Sequence, residues 1–188
     1  MIEGVIAAAG KSQRTGELNK LELDLGGKAV LARSLESMLA FCSTVYVVVG
    51  HYRESLEKLL GQYSNVEMVF NPSYEKGMFS SVKAGLVHIK ASRFFFMPGD
   101  CPCVTPQVFK QMLQIDAPIV VPSYQNRPGH PVLMHSTLIA PILQGKFPSL
   151  NQFITAQGCV FAEVDCPGIL MDIDTMEDYR QIQRRFLH

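Results

Sequence analysis

The chain has no excess of charge of either sign: 17 basic and 17 acidic side chains cancel over 188 residues. Without a basic surplus it does not read as a general nucleic-acid binder, although a local cationic pocket stays open to it. Cysteine is sparse. Cys42, Cys101, Cys103, Cys159 and Cys166 are odd in number and irregular in spacing, which argues against a disulfide framework and for reduced thiols. No basic n-region followed by an uninterrupted apolar stretch opens the chain, and no run approaches the roughly 18 apolar residues of a spanning helix. The expected address is the cytoplasm, with no membrane partner. Repeats and low-complexity tracts are missing too. With hydrophobic residues at 47%, a single domain over residues 1–188 is expected, domains usually running to about 100–200 residues.

Short β-rich runs alternate with helical periodicity almost from end to end. Strands are expected at Ile2–Ala9, Thr44–Val49, Val66–Phe70, Phe94–Met97, Ile119–Val121 and Cys159–Val164, and helices over 29–41, 53–63, 77–90, 105–115, 135–143, 149–157 and 175–186. Thr105 before Pro106, and Thr175 before Glu177 and Asp178, carry helix-start signals. The runs VYVVV and RFFFM lack the polar alternation of a half-wet strand, so they should be central strands of a mostly parallel sheet covered on both faces. The predicted class is α/β, a three-layer α/β/α sandwich. Segment 122–134, PSYQNRPGHPVLM, breaks the pattern with three prolines and a glycine, and is expected to be an inserted hairpin or lid.

The stretch AAAGKSQRTGELNK follows the first strand and has no hydrophobic rhythm. Its GKS does not make a P-loop, because Gly4 and Gly10 enclose five residues where four are required, and Ser12 stands where a G-x-G-x-x-G motif needs its second glycine. In open α/β sheets ligands collect beyond the carboxyl ends of strands. Three further polar stretches follow strands or close the chain: NPSYEKGMFSSVKAGL, PGDCP and MDIDTMED.

Taken in order, these four segments resemble the MobA-like nucleotidyltransferases, with their A-A-G-x-S-x-R-x-G…K, G-M-x-S-S, G-D-x-P and D-I-D-T-x-E-D. Ala9 in the glycine turn and G-H-P at Gly129–Pro131 make the chain most similar, within that family, to molybdenum-cofactor cytidylyltransferases. The resemblance implies a Rossmann-like, nucleotide-diphospho-sugar-transferase-like fold. It implies an Mg²⁺-dependent transfer of CMP from CTP to the terminal phosphate of molybdopterin-bound molybdenum cofactor, releasing pyrophosphate, with transient contact to a molybdenum hydroxylase apoenzyme. The alternatives are a GTP-using enzyme, another phosphorylated acceptor such as a sugar or polyol phosphate, and a non-catalytic cofactor carrier.

Such a transfer joins two anions, so the site needs amide donors, fixed cations and a divalent metal rather than a nucleophilic side chain. The resemblance assigns nucleotide binding to Ala8, Ala9, Gly10, Ser12, Arg14, Lys20, Gly77 and Ser81, with Arg14, Lys20 and Asp100 catalytic. Asp100 and Asp174 are the expected metal ligands, one aspartate of the D-I-D-T stretch being expected to face the site and Asp172 being the alternative. Ser80 and Ser81 have a plainer reading as helix caps. His130 is expected to meet the acceptor, while His51, His88, His135 and His188 read as structural or surface residues. Cys101 and Cys103 read as buried thiols, since a zinc site needs four well-spaced ligands.

Overall fold

The computed structural model describes residues 1–11 and 19–186. Strand β1 (Ile2–Ala8) lies in the middle of an eight-stranded sheet, with β2 (Thr44–Val49) on one side and β4 (Arg93–Pro98) on the other, both parallel to it. Strand β3 (Val66–Phe70) extends the sheet beyond β2. Beyond β4 follow β7 (Val132–His135) and β5 (Ile119–Tyr124), with β6 (Arg127–Pro128) and β8 (Val160–Glu163) pairing β5. Four of the seven strand pairings are parallel.

Both faces are covered, and the period of two along each strand divides the core into two layers. Ile6, Ala8, Val47, Phe95 and Met97 pack with α1 (Val30–Leu39), α2 (Arg53–Leu60), α4 (Pro106–Leu113) and α7 (Met176–Gln183). Val5, Ala7, Val48, Phe94 and Phe96 pack with α3 (Met78–Leu86), α5 (Ile139–Gln144) and α6 (Leu150–Gln157). The result is the three-layer α/β/α sandwich, and the two unbroken apolar runs are the strands flanking β1. At the start of α7, Thr175 and Asp178 form a reciprocal capping box. Thr105 stands at the N-cap position of α4 without a cap bond, its hydroxyl donating instead to Cys166 Sγ at 3.7 Å. Among the described residues no helix is long and apolar enough to cross a membrane.

Segment 122–134 departs from expectation in part. Strand β5 continues to Tyr124, turns through Gln125 and Asn126, both left-handed at φ 51° and 62°, and returns as β6, which is the expected hairpin. The segment's end is not a lid. Val132, Leu133 and Met134 are buried in β7, which runs antiparallel between β4 and β5. Because the sheet takes residues 132–135, the helix expected from 135 begins with a 3₁₀ turn at Ser136–Leu138 and becomes α-helical only at Ile139.

Candidate active site

The carboxyl ends of β1 and β4 carry the first polar groups. Ala8 and Ala9 are buried at the exit of β1, whereas Gly10 is exposed, and a Cβ built on it meets nothing within 4 Å among the described residues. Ser12 and Arg14 lie outside the described residues. The chain re-enters at Asn19, whose side-chain oxygen accepts from Leu21 N at 3.2 Å and whose amide donates to Glu22 at 2.8 Å. Those bonds cap a 3₁₀ turn, Lys20–Glu22, and so fix the direction in which Lys20 leaves the backbone.

Lys20 Nζ donates to Asp100 Oδ2 at 2.6 Å and to Asp174 Oδ1 at 3.3 Å. Asp100 is delivered by the turn after β4, and the main-chain N–H of Ile173 donates to its carbonyl at 3.0 Å. Three segments distant in sequence are thereby joined around one ammonium. Its side chain and that of Asp100 are only 16% and 12% exposed, against 41% for Asp174. Burial works to lower the Lys20 pKa, but attraction to Asp100, its hydrogen bond, and Asp174 outweigh it, so the net shift is upward and the ammonium stays charged.

Asp172 and Asp174 share a side of the chain, because Ile173 between them points into the core. The expectation that only one could face the polar region is corrected accordingly. Asp174 meets Lys20, while Asp172 lines the adjoining cleft. Burial raises the Asp172 pKa, and repulsion from Asp100 and Asp174 adds to it, against the pull of its own main-chain hydrogen bond and of Lys20. Cys101, fully enclosed, is held well above an ordinary thiol by burial first and by Asp100 and Asp172 next, so it is a neutral donor to Asp100.

Gly77 and Ser81 lie at the other side of the turn, beyond β3. Gly77 is exposed with φ +93°, a conformation that a side chain would strain, and it starts α3 with no side-chain cap. Ser81 is buried, its hydroxyl accepting the Asn71 amide at 3.1 Å, and Ser80 accepts from the same amide at 2.9 Å. Asn71 also accepts from Ser73 N at 2.9 Å, so one side chain ties the end of β3 to the start of α3. Sequence reasoning passed over Asn71; its signal was an Asn-Pro pair directly after a strand. An ion pair, Lys11 to Glu75 at 2.5 Å, spans from the β1 turn to this loop.

On the other side of Asp100 opens a cleft of about 740 Å³, lined by Cys101, Arg127, His130, Asn151, Phe161 and Asp172 among others. His130 stands edge-on to Phe96 with ring centroids 6.2 Å apart, and its buried Nδ1 has no partner among the described residues. Burial lowers its pKa to about 4 despite the nearby charge of Asp100, so the imidazole is neutral near pH 7. The arrangement is thus a cation between two acids, a glycine turn and helix start on one flank, and a half-apolar cleft on the other. Among the described residues no group of three or more His, Cys, Asp or Glu is disposed to hold a metal. A divalent ion would have the acid pair, with other ligands drawn from phosphate and water.

The sequence is 28% identical over 187 residues to the molybdenum cofactor cytidylyltransferase of Escherichia coli, covering 98% of this chain and 97% of the relative. It is 26% identical over 174 residues to a probable molybdenum cofactor guanylyltransferase of Methanosarcina mazei, covering 85% and 77%. A nucleotidyl transferase from Methanothermobacter superposes with TM-score 0.88 at 23% identity, over 100% of this chain and 98% of that one. Rv0371C of Mycobacterium tuberculosis, solved in complex with manganese, does so with TM-score 0.79 at 21% identity over 97% of each. The sequence pattern of the MobA-like NTP transferase domain matches residues 4–158, and with it the chain belongs to that family and is a nucleotidyltransferase.

Proposed function

We propose that the protein transfers CMP from CTP to the terminal phosphate of molybdenum-bearing molybdopterin, with Mg²⁺ as the divalent ion, in a cytoplasmic setting suited to its free thiols. The observation that carries this reading is the Lys20 ammonium bridging Asp100 and Asp174. Two acids that already hold one cation suit a second, and Mg²⁺ characteristically takes one or two carboxylates together with phosphate oxygens. When bound, Mg²⁺ supplies charge neutralisation on the triphosphate.

The remaining roles fall to this chain's own residues. The turn at Ala8, Ala9 and Gly10, with Ser12 and Arg14 beyond it, cradles the triphosphate through amide, hydroxyl and guanidinium donors. Lys20 lies against the α-phosphate, where negative charge builds as the acceptor's phosphate oxygen attacks. A new P–O–P bond forms to the acceptor, the bond to the β-phosphate breaks, and pyrophosphate leaves. Gly77 brings the start of α3 to the nucleoside, and Ser81 acts there through Asn71 by fixing that start. His130 meets the acceptor from the cleft, and Asp100 and Asp174 would hold the ion. The finished product would pass to a molybdenum hydroxylase apoenzyme.

The guanylyltransferase relative favours a second reading that differs only in the base. One experiment addresses both. The protein is incubated with molybdenum-bearing molybdopterin, Mg²⁺ and either CTP or GTP, and pyrophosphate release is followed; preference for CTP is expected. Preference for GTP reverses the base, and release only with a sugar or polyol phosphate replaces the acceptor. Binding of the finished dinucleotide without any turnover would instead identify a carrier.

A further inference from the structure

The cleft beside Asp100 has an inner end at the buried Cys101 and an exposed rim. Cys101 and Asp172 adjoin the Lys20–Asp100 pair, while Arg127 stands on β6 at the surface. That rim is fixed. Pairs Ser123–Pro128 and Tyr124–Arg127 close the hairpin across its two left-handed residues, and Gly129 N donates to Pro122 O at 2.9 Å. His130 N donates to Ile169 O at 3.0 Å, and a Cβ on Gly129 would lie 2.2 Å from that same oxygen. The hairpin is therefore laid directly on the turn at Pro167–Leu170, and Arg127 projects from a stiff support.

Two other guanidinium groups are committed within the fold. Arg33 donates to the carbonyls of Leu25 and Gly26, and Arg93 to those of Leu113 and Ile115. Beyond its main-chain pairing with Tyr124, Arg127 leaves its exposed guanidinium without a hydrogen-bond or ion-pair partner among the described residues, and in the same cleft the buried His130 Nδ1 has none either. An uncommitted planar fork at the mouth of a cavity, with an orphaned nitrogen inside it, is the chemistry of a site for an anionic or oxygen-rich ligand.

We propose that Arg127 is an acceptor-positioning residue that binds a second anionic group, at the end of the acceptor remote from its reacting phosphate. The cleft accordingly takes compounds anionic at both ends and disfavours simple sugar or polyol phosphates. This rests on the acceptor reading given above. It assigns the rim of the cleft, where that reading assigned only His130.

The test compares the wild type with R127A and R127K, using molybdenum-bearing molybdopterin as the acceptor probe. Equilibrium binding of the acceptor, equilibrium binding of CTP, and kcat and KM for each substrate are measured. A charge-assisted contact of this kind predicts acceptor binding and KM weakened about tenfold to a hundredfold in R127A. CTP binding, kcat at saturating acceptor and thermal melting stay at wild-type values. R127K, a point charge without the fork, recovers part of the loss. R127A binding the acceptor as tightly as the wild type, or losing CTP affinity equally, overturns the role of Arg127 while leaving the proposed reaction standing. A wild type that neither binds this acceptor nor releases pyrophosphate with it overturns both.

Discussion

Ile173 donates its main-chain N–H to the carbonyl of Asp100 at 3.0 Å, and that bond brings the D-I-D-T stretch against the end of β4. Lys20 can bridge the two acids because their backbones are already joined one residue away. The following outcomes derive from that arrangement and from the loops beside it.

Asp100→Asn should lower pyrophosphate release by about a hundredfold to a thousandfold, the scale seen when one preorganised electrostatic contact is removed from a transition state. Asp174 still faces Lys20, so the ammonium is not stranded and thermal melting should move little. A chelator should abolish turnover in the wild type, and added Mg²⁺ should restore it. Turnover undiminished in Asp100→Asn would remove this acid from the mechanism.

Stability should fall on mild acidification through His130. Burial holds its pKa at about 4, the charge of Asp100 opposing, against 6.5 for an ordinary histidine. As pH drops through 6.5 the unfolded chain takes up a proton that the folded chain refuses until about pH 4. The unfolded state binds more protons throughout that window, so folding weakens across it, by on the order of 3 kcal/mol, and levels off below. Denaturant titrations between pH 7 and pH 4 should give this slope for the wild type and a shallower one for His130→Gln. Parallel slopes would assign the pH dependence to other groups.

Asn71→Ala leaves the buried Ser81, and the half-buried Ser80 and Ser73 amide, without a shared partner. The cost should be about 2 kcal/mol of stability. Since the start of α3 is loosened, the nucleotide KM should rise more than kcat falls. A variant with lowered melting temperature and unchanged nucleotide KM would confine Asn71 to folding.

Gly77→Ala should cost about 1–3 kcal/mol, because φ +93° is a region that side chains rarely occupy. Space is no obstacle there, since among the described residues a Cβ would meet nothing within 4 Å; the same is true of Gly10, where φ is not in that region. Gly10→Ala should therefore melt close to the wild type, and equal losses at both positions would contradict a conformational origin.

Much of the frame was legible because the signals were local. Continuous apolar runs such as TVYVVV and RFFFMP could only be strands buried on both faces, and the periodic apolar positions marked the helices between them. Strand β7 was not legible. Four residues set behind Gly129 and Pro131 carry no period of their own, and their strand character comes from β4 and β5 on either side. At the candidate site, acids and a lysine read from loops distant in sequence are brought together, for Lys20, Asp100 and Asp174 do meet. Two details depended on orientation, which spacing does not carry. Asn19 drew no role from the sequence and is the cap that aims Lys20; Ser81, expected to bind nucleotide, is turned inward to Asn71. Arg127 gave no signal because its interest lies in having no partner once the hairpin has formed.

The C-terminal stretch carries a consequence for the order of events during synthesis. Tyr179 donates its hydroxyl to Asp24 O at 2.6 Å, and Arg33 stacks over Phe186 with its guanidinium carbon 4.2 Å from the ring centroid, so this stretch docks on α1 and the loop that precedes it. Until those residues leave the ribosome, Asp100 lacks its companion acid and Lys20 has one carboxylate to hold. A nascent chain that has already built the central strands thus still lacks the D-I-D-T stretch, whose later arrival gives Lys20 its second carboxylate.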